Sequence, residues 1–178
     1  EKPFSIASIP DMKDRTIILD GFSKTYAMTG WRLGYGVMNP DLAQQITRLV
    51  TNSASCAAAF SQVAAIEALT GPQDASERMC EAFHERCQYM ADALNDIDGI
   101  DCLMPKGAFY MFPSIKGTGL DCREFANRLM EEGGVASLAG TDFGIYGEGH
   151  IRLSAANSLE NIKIACEWIK NFVAAVRK

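Results

Sequence analysis

The sequence has little that would tie the chain to a membrane, a nucleic acid or a metal. None of its apolar runs approaches the roughly 20 residues that a membrane-spanning helix needs. The N-terminal stretch EKPFSIASIP has neither the basic n-region nor the apolar h-region of a signal peptide. Lys and Arg are scattered singly and the formal net charge is -5, which excludes a basic track for nucleic acid. With two histidines in the chain, we expect no metal site.

Cysteine spacing of the kind that marks disulfides or zinc ligands is absent as well. The six cysteines, at 56, 80, 87, 102, 122 and 166, form no C-x-x-C motif. We expect them to be reduced, buried and small apolar residues of a cytoplasmic protein. What the sequence does have is a globular composition, because 48% of its 178 residues are hydrophobic and 22% are charged.

The first part of the chain alternates between strand and helix patterns. TIILD (16–20) is a short, continuous apolar run, typical of a parallel strand that is buried on both faces, and GYGVM (34–38) predicts a second strand. Asn-Pro at 39–40 predicts the start of a helix, and an Ala-rich helix over 57–69 ends at a Gly-Pro breaker. This alternation indicates an α/β fold.

The rest of the chain predicts a connecting helix and a small α+β domain. Helical spacing over 76–95 predicts a long helix. Short β-type pieces at IDCLM, AFYMF, GVASL and HIRLS are interleaved with a helix over 122–132, which Asp121 caps. A last helix begins after Ser158.

The stretch GFSKTYAMTGWRLGY (21–35) places reactive side chains just after the first predicted strand. Open α/β sheets bind ligands at the carboxyl ends of their strands, which is where Lys24 stands. An amine that is partly removed from water near a second cation loses proton affinity, so Lys24 can act as a nucleophile or a base. The guanidinium of Arg32 suits a phosphate, and Ser23 offers a hydroxyl. Spacing alone leaves the alternative open that Lys24 is a solvated surface group.

SKTYAMTGWRLGY (23–35) closely resembles the lysine segment of the class I and II aminotransferases, which are fold-type I pyridoxal-phosphate enzymes. The resemblance implies that Lys24 forms a Schiff base with pyridoxal 5'-phosphate. It also implies that Arg32 and Ser23 bind the phosphate of this cofactor. Where the family often has a Ser or Thr as a further phosphate ligand, this sequence has Gly21.

Two later stretches resemble the same family. GAFYMFP (107–113) is similar to a strand of its small domain, and GTDFG (140–144) followed by HIRLSAANS is similar to its C-terminal signature. The resemblance implies that Arg152 binds the α-carboxylate of the substrate, although on the residues alone Arg152 is an ordinary strand arginine. Asp142 and Phe143 in this signature either shape the entrance to a pocket or, as the plainer explanation, form part of a turn.

The resemblance covers almost the whole chain and implies how it is divided. Residues 1–75 would be the C-terminal part of a large pyridoxal-phosphate-binding domain of the transferase type. Residues 76–178 would be a connecting helix and a small α+β C-terminal domain. The family's aspartate, tyrosine and asparagine that contact the cofactor ring lie upstream of the lysine segment, and this sequence lacks their motifs. We therefore expect the C-terminal portion of an aminotransferase, inactive or nearly so by itself.

The implied activity is transfer of an amino group between an L-amino acid and a 2-oxo acid, by a ping-pong mechanism. The form AMTGWRLGY resembles many proteins of the aspartate subgroup, and this resemblance implies aspartate with 2-oxoglutarate as substrates. The family also implies a homodimer for the parent protein. Three alternatives stay open: a lyase, synthase or racemase on the same scaffold, a cofactor-sensing regulatory domain, and a non-catalytic fragment or interaction module. The combination of Lys24 with Arg152 counts against a purely structural role.

Overall fold

The computed structural model describes residues 3–177, which divide into two compact units with the boundary between Arg78 and Met79. Each unit combines helices with a small sheet, so the chain has the mixed helix and sheet content of an α/β fold. Among the described residues, no helix is long and apolar enough to cross a membrane.

The first unit consists of two short strands and two helices, followed by the start of a third. Its elements are β1 (Ile18–Gly21), β2 (Gly34–Val37), α1 (Pro40–Ser53), α2 (Ala59–Thr70) and the beginning of α3 (Asp74–Asn95). Its buried core is small and consists of Phe22, Met28 and Ala65.

The prediction of a buried parallel strand at 16–20 is wrong. The strand begins at Ile18, which lies opposite Val37 in an antiparallel pair with β2. Leu19, in the middle of the strand, is 78% exposed. A continuous apolar run indicates that both faces of a strand can be buried, but the layers that bury them must come from other parts of a fold. The described part of this unit does not supply those layers.

The second unit packs a three-stranded antiparallel sheet against helices. The strands lie in the order β3–β5–β4, where β3 is Tyr110–Met111, β4 is Leu138–Ala139 and β5 is Ile151–Ser154. The helices are the later part of α3, α4 (Cys122–Gly133) and α5 (Leu159–Val176). IDCLM, which predicts a strand, forms none: Asp101 makes a single bridge to Ser114.

Alternation along the central strand separates the core of this unit from an exposed face. Ile151 and Leu153 are 0% and 4% exposed and belong to the core. Arg152 lies between them, so its side chain is on the opposite face of the sheet, where it is half-buried. The three helices contribute the other side of the core, with Leu94, Phe125 and Ile169 among the fully buried residues.

Side-chain caps confirm the predicted starts of three helices. Asn39, Asp121 and Ser158 each accept a hydrogen bond from a backbone N–H in the first turn of α1, α4 and α5, respectively. At its other end, α4 stops at Gly134, whose φ of 70° is a left-handed conformation that glycine adopts easily.

All six cysteines are free thiols, as predicted, but not all are buried. Cys56 and Cys80 are exposed, so the expectation of burial is wrong for these two. Burial raises the pKa of Cys166 to about 11, and burial together with the nearby Asp101 carboxylate raises that of Cys102 to about 11. The thiols of Cys102 and Cys166 are therefore protonated at neutral pH.

Candidate functional site

The connection between β1 and β2 carries three of the four predicted site residues, Ser23, Lys24 and Arg32. Two backbone hydrogen bonds close it: the N–H of Phe22 donates to the carbonyl of Leu33 at 3.2 Å, and the N–H of Met28 donates to the carbonyl of Phe22 at 3.3 Å. The side chains of Phe22 and Met28 are 2% and 8% exposed and fill the core of the unit. These inward anchors leave the polar residues of the connection on its outer side.

Lys24 lies in a turn three residues after the end of β1, and its side chain is exposed. The N–H of Ala27 donates to the carbonyl of Lys24 at 3.1 Å and closes this turn, with a φ of 53° at Ala27. From the start of α3, the hydroxyl of Ser76 donates to the carbonyl of Thr25 at 3.1 Å. Ser23, next to Lys24, is half-buried. The turn is thus held by one bond to the carbonyl of Lys24 and one to the carbonyl of the next residue.

Arg32 has an unusual backbone conformation just before β2. Its φ of 51° lies in the left-handed region, which residues other than glycine rarely adopt. One guanidinium N–H donates to the carbonyl of Thr29 at 3.1 Å, and the side chain is exposed. The hydroxyl of Ser61, a buried residue of α2, donates to the carbonyl of Trp31 at 3.4 Å and fixes the preceding peptide. Strained residues of this kind are frequent in functional sites.

Two tyrosines of this segment pack against Phe22 and extend its small core. The ring centroids of Tyr26 and Tyr35 lie 5.6 Å and 5.3 Å from that of Phe22. The hydroxyl of Tyr35 donates to a carboxylate oxygen of Asp20 at 3.4 Å. Burial, and then the nearby Asp20 carboxylate, raise the pKa of Tyr35 above its ordinary value. Tyr35 therefore stays protonated at neutral pH.

The fourth predicted residue, Arg152, belongs to the second unit and lies between two aromatic rings. Its guanidinium carbon is 4.5 Å from the ring centroid of Tyr110 and 4.4 Å from that of Phe143. Tyr110 comes from β3, and Phe143 ends the 3-10 helix Gly140–Phe143 that follows β4. One neighbouring strand and the segment that follows the other thus each contribute a ring to this arginine.

The loop that carries Phe143 is tied to the N-terminus of α4. Arg123 pairs with Asp142 at 2.7 Å, and the thiol of Cys122 lies 3.4 Å from the hydroxyl of Thr141. Glu148 accepts hydrogen bonds from the backbone N–H of Cys122 at 3.0 Å and from that of Gly149. These N–H donors lower the pKa of Glu148 below its ordinary value, because they stabilise the carboxylate.

Sequence reasoning missed the residues that hold the candidate side chains in place. Ser61 and Ser76 are single hydroxyls inside helical patterns, and no local signal connects them to a loop thirty to fifty positions earlier. Tyr110 lies in AFYMF, whose pattern predicts a strand but gives no sign that the tyrosine contacts Arg152. Its position opposite Ser154 in the sheet register, near Arg152, depends on pairing between distant segments. The alternation of HIRLS did carry a usable signal, since it places Arg152 on the face opposite to Ile151.

Comparison with known proteins identifies the family. The model of the family "Aminotransferase class I and II" matches residues 2–169. The chain belongs to the class I and II aminotransferase family. The aspartate aminotransferase of Geobacillus stearothermophilus is 39% identical over 98% of the chain, and the aromatic-amino-acid aminotransferase 2 of Thermococcus litoralis is 39% identical over 93%.

A solved structure supports the same assignment. The aromatic aminotransferase from Pyrococcus horikoshii matches 98% of the chain with a TM-score of 0.92 and 36% sequence identity. The chain spans less than half the length of these aminotransferases: 45% and 43% of the two relatives and 47% of the solved chain. Class I and II aminotransferases use pyridoxal phosphate, so the predicted family and cofactor are confirmed at the level of the family.

Proposed function

We propose that the protein containing this chain is a pyridoxal-phosphate-dependent aminotransferase, with Lys24 as its catalytic residue. The proposal depends on one observation in this member of the family: the anchored β1–β2 connection exposes both the amine of Lys24 and the guanidinium of Arg32. An amine and a cation on the same short connection suit a ligand that has both a reactive carbonyl and an anionic group.

The donor set of this connection fits pyridoxal phosphate. The amine of Lys24 would hold the cofactor through its aldehyde. The guanidinium of Arg32 would hold the phosphate, and the hydroxyl of Ser23 would add a hydrogen bond. Arg32 uses one N–H on the carbonyl of Thr29, which leaves other donors of its five for an anion. When bound, the cofactor supplies an electron sink for the bond that is broken at the α-carbon of the substrate.

The residues of the chain have distinct tasks in the proposed reaction. Lys24 takes the proton from the α-carbon of the amino acid and returns it at the end of the transfer, which makes it a general base and acid. Arg152 binds the α-carboxylate through two parallel N–H groups, which orients the hydrogen that leaves. Arg32 keeps the anionic end of the cofactor fixed while Lys24 moves the proton.

The substrate pair in this proposal is aspartate with 2-oxoglutarate, and the parent protein is a homodimer of the cytoplasm. Two features support the pair and the compartment: the similarity to an aspartate aminotransferase and the six free thiols. The similarity to aromatic aminotransferases makes an aromatic amino acid the main competitor.

We propose further that the chain is the C-terminal portion of that enzyme. Residues 1–75 would belong to the large domain, and residues 76–178 would form the connecting helix and the small domain. Support comes from the share of its relatives that the chain spans and from apolar side chains that are more than half exposed in the first unit. Leu19 at 78% and Phe60 at 71% are the clearest of these, since such surfaces are normally covered by further layers.

Two experiments test the proposal. The full-length protein is assayed with aspartate, alanine and phenylalanine, each with 2-oxoglutarate, and the products are identified. In parallel, the 178-residue chain is incubated with pyridoxal phosphate and reduced with borohydride, and the modified peptide is mapped. We expect amino transfer that is fastest with aspartate, and labelling at Lys24.

Lys13 provides a matched control for the lysine, because it is an exposed lysine of the same unit. Lys24→Ala should lower the rate of the full-length enzyme by about 10²- to 10⁴-fold, which is the usual contribution of a general base. Lys13→Ala should leave the rate unchanged. Elimination products instead of amino transfer would favour a lyase. Labelling spread over surface lysines of the chain would favour a fragment without a cofactor pocket.

A further inference from the structure

The exposed face of the β3–β5–β4 sheet carries a continuous row of rings around Arg152. Tyr110 and Phe143 contact its guanidinium at 4.5 Å and 4.4 Å. Phe143 meets Phe112 edge to face at 6.2 Å between centroids, and Phe112 stacks on His150 at 5.4 Å with an interplanar angle of 10°. The arginine therefore lies within an aromatic surface rather than among carboxylates.

The two rings that contact Arg152 approach it from different sides. Tyr110 is on one neighbour of the central strand, and Phe143 follows the other neighbour. A guanidinium carbon about 4.5 Å from a ring centroid is within the range of a cation–π interaction. With a ring on each side, the guanidinium loses freedom to rotate, and its N–H groups at the edge of the plane stay available. Arginine is suited to this, because its planar group both stacks on rings and binds carboxylates.

No carboxylate of the second unit, in the part that the structure describes, forms an ion pair with Arg152. Asp142 is adjacent to Phe143 in sequence, but it pairs with Arg123 at 2.7 Å. Within the described part of the second unit, the charge of Arg152 is thus not neutralised by a carboxylate, and its side chain is half-buried. A carboxylate from outside the unit would meet a cation that is already oriented and partly desolvated, which favours binding.

We propose that Tyr110 and Phe143 are positioning residues that hold the guanidinium plane of Arg152 for the α-carboxylate of the substrate. This inference rests on the proposed function of Arg152. The rings do not touch the reacting atoms and act only through the arginine. Removing either ring weakens the binding of molecules that have the carboxylate, and it leaves the reaction of an analogue without the carboxylate unchanged.

The test uses the full-length protein with the variants Tyr110→Leu and Phe143→Leu. Two substrates are compared, phenylalanine and phenethylamine, which differ by the α-carboxylate. KM for phenylalanine should rise about 5- to 30-fold, the range expected for loss of one partly desolvated cation–π contact. The kcat value and the slower reaction of phenethylamine should change less than about 2-fold, since Lys24 is not affected.

Conservative variants and a control separate positioning from general damage. Tyr110→Phe and Phe143→Tyr keep a ring and should retain the KM of the original protein within about 2-fold. The control is Tyr89→Leu, because the ring of Tyr89 contacts Lys163 instead of Arg152, at 5.4 Å. If a leucine variant does not fold, Tyr110→Met or Phe143→Met replaces it at the same position and decides the outcome.

A second readout distinguishes failure of this proposal from failure of the proposed function. Binding of 3-phenylpropanoate is measured by calorimetry in the original protein and in each variant. If the protein transfers no amino group but binds this carboxylate, and the leucine variants weaken the binding, the proposed function fails and the positioning role stands. Absence of carboxylate binding by the original protein would overturn the positioning role. An unchanged KM in both leucine variants, or an equal loss with the amine, would overturn it too.

Discussion

Replacing Gly140 by alanine should disrupt the loop that brings Phe143 to Arg152. Gly140 is buried, and its N–H donates to the carbonyl of His150 at 2.8 Å. A Cβ at this position would overlap the carbonyl oxygen of Gly147 and would lie 2.6 Å from that of His150. Both atoms belong to the backbone, so no change of side-chain rotamer can relieve the overlap.

The size of the effect follows from the nature of these contacts. Forcing extra volume into a well-packed site costs about 1–3 kcal/mol. We expect the upper end, ~3 kcal/mol, because two backbone segments must move to admit a single methyl group. For a chain of this size, this loss lowers the melting temperature by roughly 6–12 °C. The displaced loop should also weaken carboxylate binding in the full-length protein, since it carries Phe143.

The assay is thermal and urea unfolding of the 178-residue chain, followed by circular dichroism. Gly107→Ala is the matched control: a Cβ at Gly107 would meet no heavy atom within 4 Å. This variant should stay within about 0.5 kcal/mol of the original protein, like other surface substitutions. The reasoning would be refuted if Gly140→Ala were as stable as Gly107→Ala, because the close backbone approach would then not be a constraint of the fold.

Three further predictions concern the thiols, a carboxylate and a helix cap. In the 178-residue chain at pH 8, a thiol reagent should modify the exposed Cys56 and Cys80 quickly. The four buried cysteines should react only after the chain unfolds. Rapid modification of more than two cysteines would contradict this burial. The fold lowers the pKa of Glu148 below its ordinary value of 4.5. The ionised carboxylate of Glu148 therefore stabilises the fold above pH 4.5, and this stabilisation is lost as the pH falls through the lowered pKa. Melting temperatures measured from pH 7 to pH 3 should show that Glu148→Gln is less stable than the original protein at neutral pH and equally stable in acid. A difference in melting temperature that stays constant over this pH range would contradict the prediction. Asp121→Ala removes hydrogen bonds of 3.0 Å and 2.8 Å at the start of α4 and should cost about 1 kcal/mol in urea unfolding, while Asp121→Asn should lose less.

Local signals predicted most of the helices because helix ends depend on neighbouring residues. A cap such as Asn39 or Asp121 bonds to an N–H two or three positions later, and a glycine such as Gly134 ends a helix through its own φ. The strands were harder to predict, since their partners are far away in sequence. The stretch at 16–20 reads as a buried parallel strand, and its real partner and exposure depend on segments that a local pattern does not contain.

The candidate site divides in the same way. The sequence alone placed Lys24 and Arg32 on one connection after a strand, and its family signature led to the cofactor. The left-handed φ of 51° at Arg32 and the bond from Ser61 to the carbonyl of Trp31 could not be predicted, because they depend on the packing of α2.

By itself, then, the sequence determined the family, the starts of three helices and the chemical identity of the candidate groups, which are properties of single residues and short segments. Only the tertiary structure decided what surrounds those groups. Tyr110 and Phe143 are 33 positions apart in the chain, and they meet at Arg152 because β5 pairs with β3 on one side and with β4 on the other. Strand pairing brings together residues that no local pattern connects, and this is the physical reason why the environment of the arginine had to come from the fold.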